Sequence, residues 1–383
     1  MLKRIYLDHA ATTPVHPEVI EVISKTLSDH FGNASSTYQR GRDSRNILDQ
    51  SRQVLAESIH AKPNEIIITS GGSESNNMAI IKTAEMMVKQ GKHIITSQVE
   101  HQSVIKPMQY LESIGFEVTY LPVNKEGTIE LDIFKEALRD DTILVSIMLG
   151  NNEVGSLLPI KEIGKVLENH QAILHTDAVQ AYGKKPIDVT DLNIDLLSVS
   201  AHKINGPKGI GFLYKNEDTH LPSLILGGEQ ESKHRAGTEN IPYIAGFAKA
   251  SELRMNQLED YQTHLSMLKE TFLSQLDSYK IEYEVNGSLN QSLPHILNIH
   301  FRGVFSEKLL IQLDLSGIEA ASGSACTAGS LQPSHVLTAI HGEDDKAISE
   351  SVRFSFGFDT TKDDIEQTVE KLAKAIERLK SDD

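Results

Sequence analysis

Glu65-Ile66-Ile67-Ile68-Thr69-Ser70-Gly71-Gly72-Ser73-Glu74 sets a β-branched run against a glycine pair and a hydroxyl, and apolar residues at three-and-four spacing then continue to Gln90. A short β-branched run that passes through glycine straight into a helix is the repeating unit of an α/β sheet. The same alternation recurs along the chain. Strands are predicted at 65–69, 93–97, 117–121, 142–148, 172–176, 194–200 and 209–214, with helices between them at 74–90, 104–114, 131–138 and 160–168. A helical stretch from 241 to 278 holds no strand and reads as the hinge to a second region. There, strands at 281–285, 295–301, 318–321 and 351–356 and a closing helix at 362–380 describe a smaller α+β domain. The predicted division is a large domain over 15–255 and a small one built from 1–14 and 256–383.

Composition bounds the function. The 383 residues carry a formal net charge of −16, and 39% of them are hydrophobic, enough for a sizeable core. That acidic balance argues against direct nucleic-acid binding, which gains from lysine and arginine clusters that displace counterions. No run is long enough to span a bilayer, and the first eight residues lack the apolar stretch of a signal peptide. A cytoplasmic protein with no membrane partner is expected.

The only cysteine, Cys326, lies in Ser322-Gly323-Ser324-Ala325-Cys326-Thr327-Ala328-Gly329-Ser330, a run with no side chain large enough to build a core. One thiol closes no intramolecular disulfide and holds no zinc or iron–sulfur cluster alone, so no metal site is expected. A nucleophile or sulfur carrier is the sharp reading, and a tolerated loop cysteine is the bland one.

Polar residues follow the predicted strands in a pattern of their own. Gly71-Gly72-Ser73 comes after the first strand, Glu100-His101 after the second, Gly150-Asn151-Asn152 after the fourth, Asp177 after the fifth and His202-Lys203 after the sixth. Ligands of open α/β sheets bind at the carboxyl ends of strands, so five segments would converge on one crevice. Taken singly, Gly71-Gly72-Ser73 is a phosphate-binding helix start or an ordinary capped one, Asp177 a helix cap, and the asparagines a turn. Lys203, beside the glycine-rich 205–209, is either a surface lysine or an amine made nucleophilic by desolvation. Together, a Schiff-base lysine, an aspartate for a pyridinium nitrogen and a phosphate cradle describe pyridoxal 5′-phosphate.

Tyr6-Leu7-Asp8-His9-Ala10-Ala11-Thr12-Thr13, Gly32-Asn33-Ala34-Ser35-Ser36, Gly150-Asn151-Asn152-Glu153-Val154-Gly155, His175-Thr176-Asp177-Ala178-Val179-Gln180, Ser200-Ala201-His202-Lys203 and Arg235-Ala236-Gly237-Thr238-Glu239-Asn240 carry a resemblance. In this order, from Tyr6 to Arg353, the chain resembles the NifS/IscS-type (group I) cysteine desulfurases, class V aminotransferase-like enzymes. The resemblance implies a fold type I pyridoxal-phosphate transferase, with a large mixed-sheet α/β domain and a smaller α+β domain, usually a homodimer. It implies that Lys203 forms the Schiff base, Asp177 pairs with the pyridine nitrogen and Gln180 meets the ring hydroxyl. Ser73, Ser200, His202 and the Gly72 backbone would bind phosphate, and Thr238 would reach the phosphate of the other subunit. His101 would stack on the ring and handle protons, while Asn33, Asn152 and Arg353 would lie near the carboxylate of the substrate, L-cysteine. Cys326 would take the sulfur as a persulfide, leaving alanine, and hand it to an acceptor protein. A tRNA thiouridylase and an iron–sulfur scaffold are both candidates, and the Gly-Gly-Glu-Gln-Glu run at 227–231 leans toward the first. Another class V enzyme, such as a selenocysteine lyase or an aminotransferase, is the alternative. The chain departs from the family pattern at Ala321, Ala328 and Ser73, where serine, serine and threonine are common in relatives.

Overall fold

The computed structural model describes residues 4–323 and 333–381. Its largest sheet has seven strands in the order Ile66–Thr69, Gly211–Lys215, Leu196–Ser200, Ile173–Asp177, Thr142–Ser146, His93–Ser97 and Glu117–Leu121. Pairings from Leu196–Ser200 across to Glu117–Leu121 are parallel, and Gly211–Lys215 alone runs against both its neighbours. Strands covered on both faces are largely apolar, and every residue of Ile66–Thr69, Thr142–Ser146 and Leu196–Ser200 is buried. Helices Gly72–Met87 and Gln102–Ser113 cross over between the parallel strands.

The predicted strands are present, with ends shifted for local reasons. The strand predicted at 142–148 ends at Ser146, where the Met148 N–H turns to the Glu100 carboxyl while the Ile147 and Leu149 N–H groups still donate to the His175 and Asp177 carbonyls. The strand at 209–214 starts only at Gly211. The strand at 281–285 shrinks to Glu284–Asn286, since the Ile281 N–H still closes the preceding helix on the Leu276 carbonyl. The helical stretch at 241–278 is two helices, Ile241–Asn256 and Leu258–Ser278, broken at Gln257 with φ −125° and ψ 19°.

These two helices serve different cores. Ile241, Ile244 and Phe247 pack with the large sheet's residues, whereas Tyr261, Leu265, Leu268 and Phe272 join a second cluster. That cluster covers a three-stranded antiparallel sheet of Ser351–Ser355, Ile296–His300 and Glu284–Asn286, against which helix Lys362–Ser381 lies. Phe272 sits 4.7 Å from Phe354 between ring centroids. Ile5 and Leu7 are buried in the same cluster, where strand Ile5–Tyr6 pairs with Ile318–Glu319. Among the described residues, no helix is long and apolar enough to cross a membrane.

Candidate active site

A cavity of about 180 Å³ opens at the carboxyl edge of the parallel strands. Its wall draws Gly72 and Ser73 from one loop, His101 from the next, then Asn152, Asp177 and Gln180, and Ser200, His202 and Lys203. Arg353 arrives from the smaller sheet, and Ala10 and Ala11 from the amino-terminal segment. Ten residues singled out in the sequence therefore share one cavity.

Lys203 leaves strand Leu196–Ser200 through a single 3₁₀ turn. Its half-buried ammonium group donates to the Ala11 carbonyl at 2.7 Å and to that of Ala10. The Lys203 carbonyl in turn accepts from the buried Lys184 at 2.7 Å. Burial, then the nearby charges of Arg254 and Lys203, holds the Lys184 amine well below the ordinary lysine range. The amino-terminal segment closes the back of the turn, with Thr13 N–H and Oγ1 both donating to the His202 carbonyl.

Asp177 ends its strand with both carboxylate oxygens engaged. Oδ1 accepts from the Val179 N–H at 2.9 Å, and Oδ2 accepts from Asn76 Nδ2 at 2.7 Å. Asn76 also donates to Ser103 Oγ at 2.8 Å, and Ser103 Oγ lies 2.7 Å from His101 Nδ1. The sequence did not mark Asn76 or Ser103. Their one signal is polarity at buried or half-buried positions of helices, and what they orient lies far along the chain. Glu100, just before His101, is fully buried, and burial pushes its carboxyl up to about 8 against the hydrogen bonds from Ser97 and Met148. It fixes the loop that carries His101 to the Met148 backbone.

At the other end of the cavity the helix Gly72–Met87 begins, so unpaired backbone N–H groups of its first turn face this wall. Gly71 has φ +145°, a conformation suited to glycine. A Cβ on Gly72 would lie 2.7 Å from Val179 Cγ2, so the cradle tolerates no side chain there. Burial, followed by Lys203, Lys208 and Lys184, lowers His202 to about 4, leaving a neutral ring whose Nδ1 is 3.2 Å from Thr12 Oγ1. Gln180 is held by the Ala10 carbonyl at 2.8 Å and by His295 at 3.2 Å.

Arg353 is 1% exposed. Its Nη2 donates to Asp8 Oδ1 at 2.7 Å and its Nη1 to the Asn152 carbonyl at 2.9 Å, while its buried Nε has no protein partner among the described residues. Asn33 and Thr238 do not line the cavity. Both are exposed, and Asn33 Oδ1 accepts from the Ser35 N–H at 2.9 Å. Cys326 lies outside the described residues.

An amine, a carboxylate braced by two donors and a glycine-lined helix start in one cavity fit a phosphorylated pyridine aldehyde. The Aminotransferase class-V family matches residues 5–368. The chain belongs to that family. Within it, a cysteine desulfurase IscS of Dictyoglomus turgidum is 45% identical, over 100% of this chain and 96% of the relative. A solved NifS-like protein superposes with a TM-score of 0.92 at 32% identity, covering 98% of this chain and 100% of the other. The structure of SspA in complex with cysteine gives 0.81 at 36% identity, over 92% of this chain and 98% of that one. This class-V chain is thus a pyridoxal-5′-phosphate enzyme of the NifS/IscS cysteine desulfurase group, with the mixed α/β architecture of fold type I.

Proposed function

We propose that the chain converts L-cysteine to L-alanine, holds the sulfur as a persulfide on Cys326 and passes it to an acceptor protein for tRNA 2-thiouridine formation or iron–sulfur cluster assembly. The observation that carries this reading is the meeting of Lys203, Asp177 and Arg353 in one cavity. Those three groups suit a covalent cofactor anchor, a counter-ion for a pyridine nitrogen and a carboxylate grip. Relatives named cysteine desulfurase and a relative solved with cysteine support the substrate.

In this reading Ser73, Ser200, His202 and the Gly72 backbone hold the phosphate, Gln180 the ring hydroxyl and Lys203 the aldehyde carbon. Bound pyridoxal 5′-phosphate supplies an electron sink that makes loss of the substrate α-proton feasible. His101, oriented by Ser103, moves protons. Arg353, with Asn152, orients the substrate carboxylate, whereas Asn33, exposed and outside the cavity wall, is left out of that grip. The Cys326 thiolate forms the new S–S bond, the substrate C–S bond breaks, and the β-carbon is protonated to the methyl of alanine. Sulfur is oxidised and that carbon reduced, so no outside electron donor enters until the persulfide is discharged.

Two copies make the working unit in this proposal, because the exposed Thr238 is assigned to phosphate in the partner copy. The two largest hydrophobic clusters support a large domain over 15–255 and a small one of 1–14 and 256–383, although Val336, Leu337 and Ile340 of the small one pack in the core of the large sheet. The acidic charge supports an enzyme that reaches RNA only through a protein, and the reading places it in the cytoplasm.

The test is a single turnover of L-cysteine on the holoenzyme. One alanine should appear per sulfur found by mass spectrometry on the Cys326 peptide, and Cys326→Ser should abolish both. Unimpaired alanine release by that variant would favour a lyase without a persulfide. Equal amounts of a thiouridylase and an iron–sulfur scaffold, offered to the labelled enzyme, then identify the acceptor by the faster transfer.

A further inference from the structure

Glu153 follows Asn152 in the cavity wall, yet its own carboxylate points elsewhere. It is 1% exposed, and its Oε2 accepts from Ser334 Oγ at 2.5 Å. Gly323 approaches the same oxygen, since a Cβ built on that residue would stand 3.2 Å from Oε2. Gly323 is buried with φ +74°, so its backbone lies close against the carboxylate where a side chain would not fit easily. Gly323 and Ser334 flank Cys326 in sequence, one on each side. A single buried carboxylate therefore bonds the chain after the nucleophile and lies against the chain before it, where a Cβ on Gly323 would crowd it.

Neighbouring contacts repeat the arrangement. Before Gly323, Ala321 pairs with Arg353, the Arg353 N–H donating at 2.6 Å to the Ala321 carbonyl. After Ser334, His335 Nε2 lies 2.9 Å from the Glu100 carbonyl, one residue from His101. Glu153 is itself fixed, its N–H donating to Asn151 Oδ1 at 2.8 Å and its carbonyl accepting from Asn298 at 3.1 Å. Burying a carboxylate is costly without partners, so its retention here calls for a task.

We propose that Glu153 is a positioning residue for sulfur transfer: by holding Ser334 and Gly323 together against the Asn152 wall, it fixes where the chain carrying Cys326 leaves and re-enters the fold. This rests on Cys326 being the sulfur acceptor. Glu153 touches neither substrate nor cofactor in this role, and its loss affects the thiol half of the reaction while leaving the α-proton half intact.

The experiment measures two rates on each holoenzyme: exchange of the L-cysteine α-proton with deuterated water, and release of alanine. Glu153→Ala should keep the exchange rate and lose alanine release by about tenfold or more, the scale for a reacting group held out of line. Glu153→Gln, whose amide oxygen still accepts from Ser334, should recover most of that loss. Ser334→Ala guards against misfolding at Glu153. Ser334 also caps helix His335–His341 through the Leu337 N–H, a loss common to both Glu153 backgrounds, so a double-mutant cycle isolates the shared hydrogen bond. Wild-type alanine release in Glu153→Ala, an equal fall in both rates, or additive effects in the cycle would overturn the inference. Alanine release persisting in Cys326→Ser would instead overturn the persulfide reading, whatever Glu153 does.

Discussion

Replacing Gly72 by alanine tests the phosphate cradle with one methyl group. The new Cβ would lie 2.7 Å from Val179 Cγ2, closer than side-chain carbons approach one another, and both residues line the cavity. Val179 cannot simply withdraw, because its N–H is committed to Asp177 at 2.9 Å. Without cofactor its side chain can swing into the cavity, a route that bound cofactor blocks, so the strain falls on the bound form. Overpacking of this kind costs ~1–3 kcal/mol. Each 1.4 kcal/mol is tenfold, which gives a loss of about 5- to 150-fold in cofactor affinity. Titration of the apoprotein with pyridoxal 5′-phosphate, followed by absorbance, measures it. Thermal unfolding of the apoprotein is the control and should move little, since Gly72 is the first helical residue and alanine is a better helix former there. Gly72→Ala/Val179→Ala should restore affinity by removing the clashing methyl. Cofactor binding by Gly72→Ala as tight as in the unmodified protein would refute the cradle.

Lys203→Ala should leave no cofactor fixed to protein after borohydride reduction, and covalent cofactor in that variant would displace Lys203 from its role. Arg353→Lys should raise KM for L-cysteine about tenfold or more, because an ammonium cannot hold Asp8 and the Asn152 carbonyl at once and still face the cavity, while the cofactor spectrum is retained; an unchanged KM would refute the carboxylate assignment. Burial lowers His175 to about 3 and His202 to about 4. In the acid range the unfolded chain therefore binds protons that the native fold refuses, so this contribution is intact above the ordinary value of 6.5 and is lost as pH falls toward the folded values. His175→Gln should consequently lose less melting temperature than the unmodified protein between about pH 7 and about pH 4, and parallel profiles would refute it. Glu100 acts in the opposite sense, because a carboxyl raised to about 8 contributes stability below its ordinary 4.5 that is lost as pH rises through 8. Glu100→Gln should flatten the alkaline side of the same profile.

Which parts of this were legible in the sequence follows from the range of the forces involved. Strand runs such as Ile66-Ile67-Ile68 declare themselves because burial on both faces favours apolar side chains. The crevice was legible because chain direction alone puts His101, Asp177 and Lys203 at one sheet edge. What escaped was set by partners remote in sequence. Asn76 reads as an ordinary polar helix residue until Asp177, 101 positions later, accepts its hydrogen bond. Arg353 alone reads as a surface ion-pair partner, and only the fold shows it buried and paired with Asp8 across 345 positions. The break at Gln257 carries neither glycine nor proline, so the sequence reads as one helical stretch across it, although the predicted domain boundary falls at 255.

The amino-terminal strap has a temporal consequence. Ala10 N–H reaches Ser355 Oγ across 345 residues, and Ala10 and Ala11 supply the carbonyls on which Lys203 rests. The strap is made 345 residues before its partner, so it finds its seat only after Ser355 has been synthesised. Contacts of such long separation form late and slowly. Lys203 therefore acquires its final surroundings only after Ser355 has been made, which makes the shaping of this cavity a late step in the life of the newborn polypeptide.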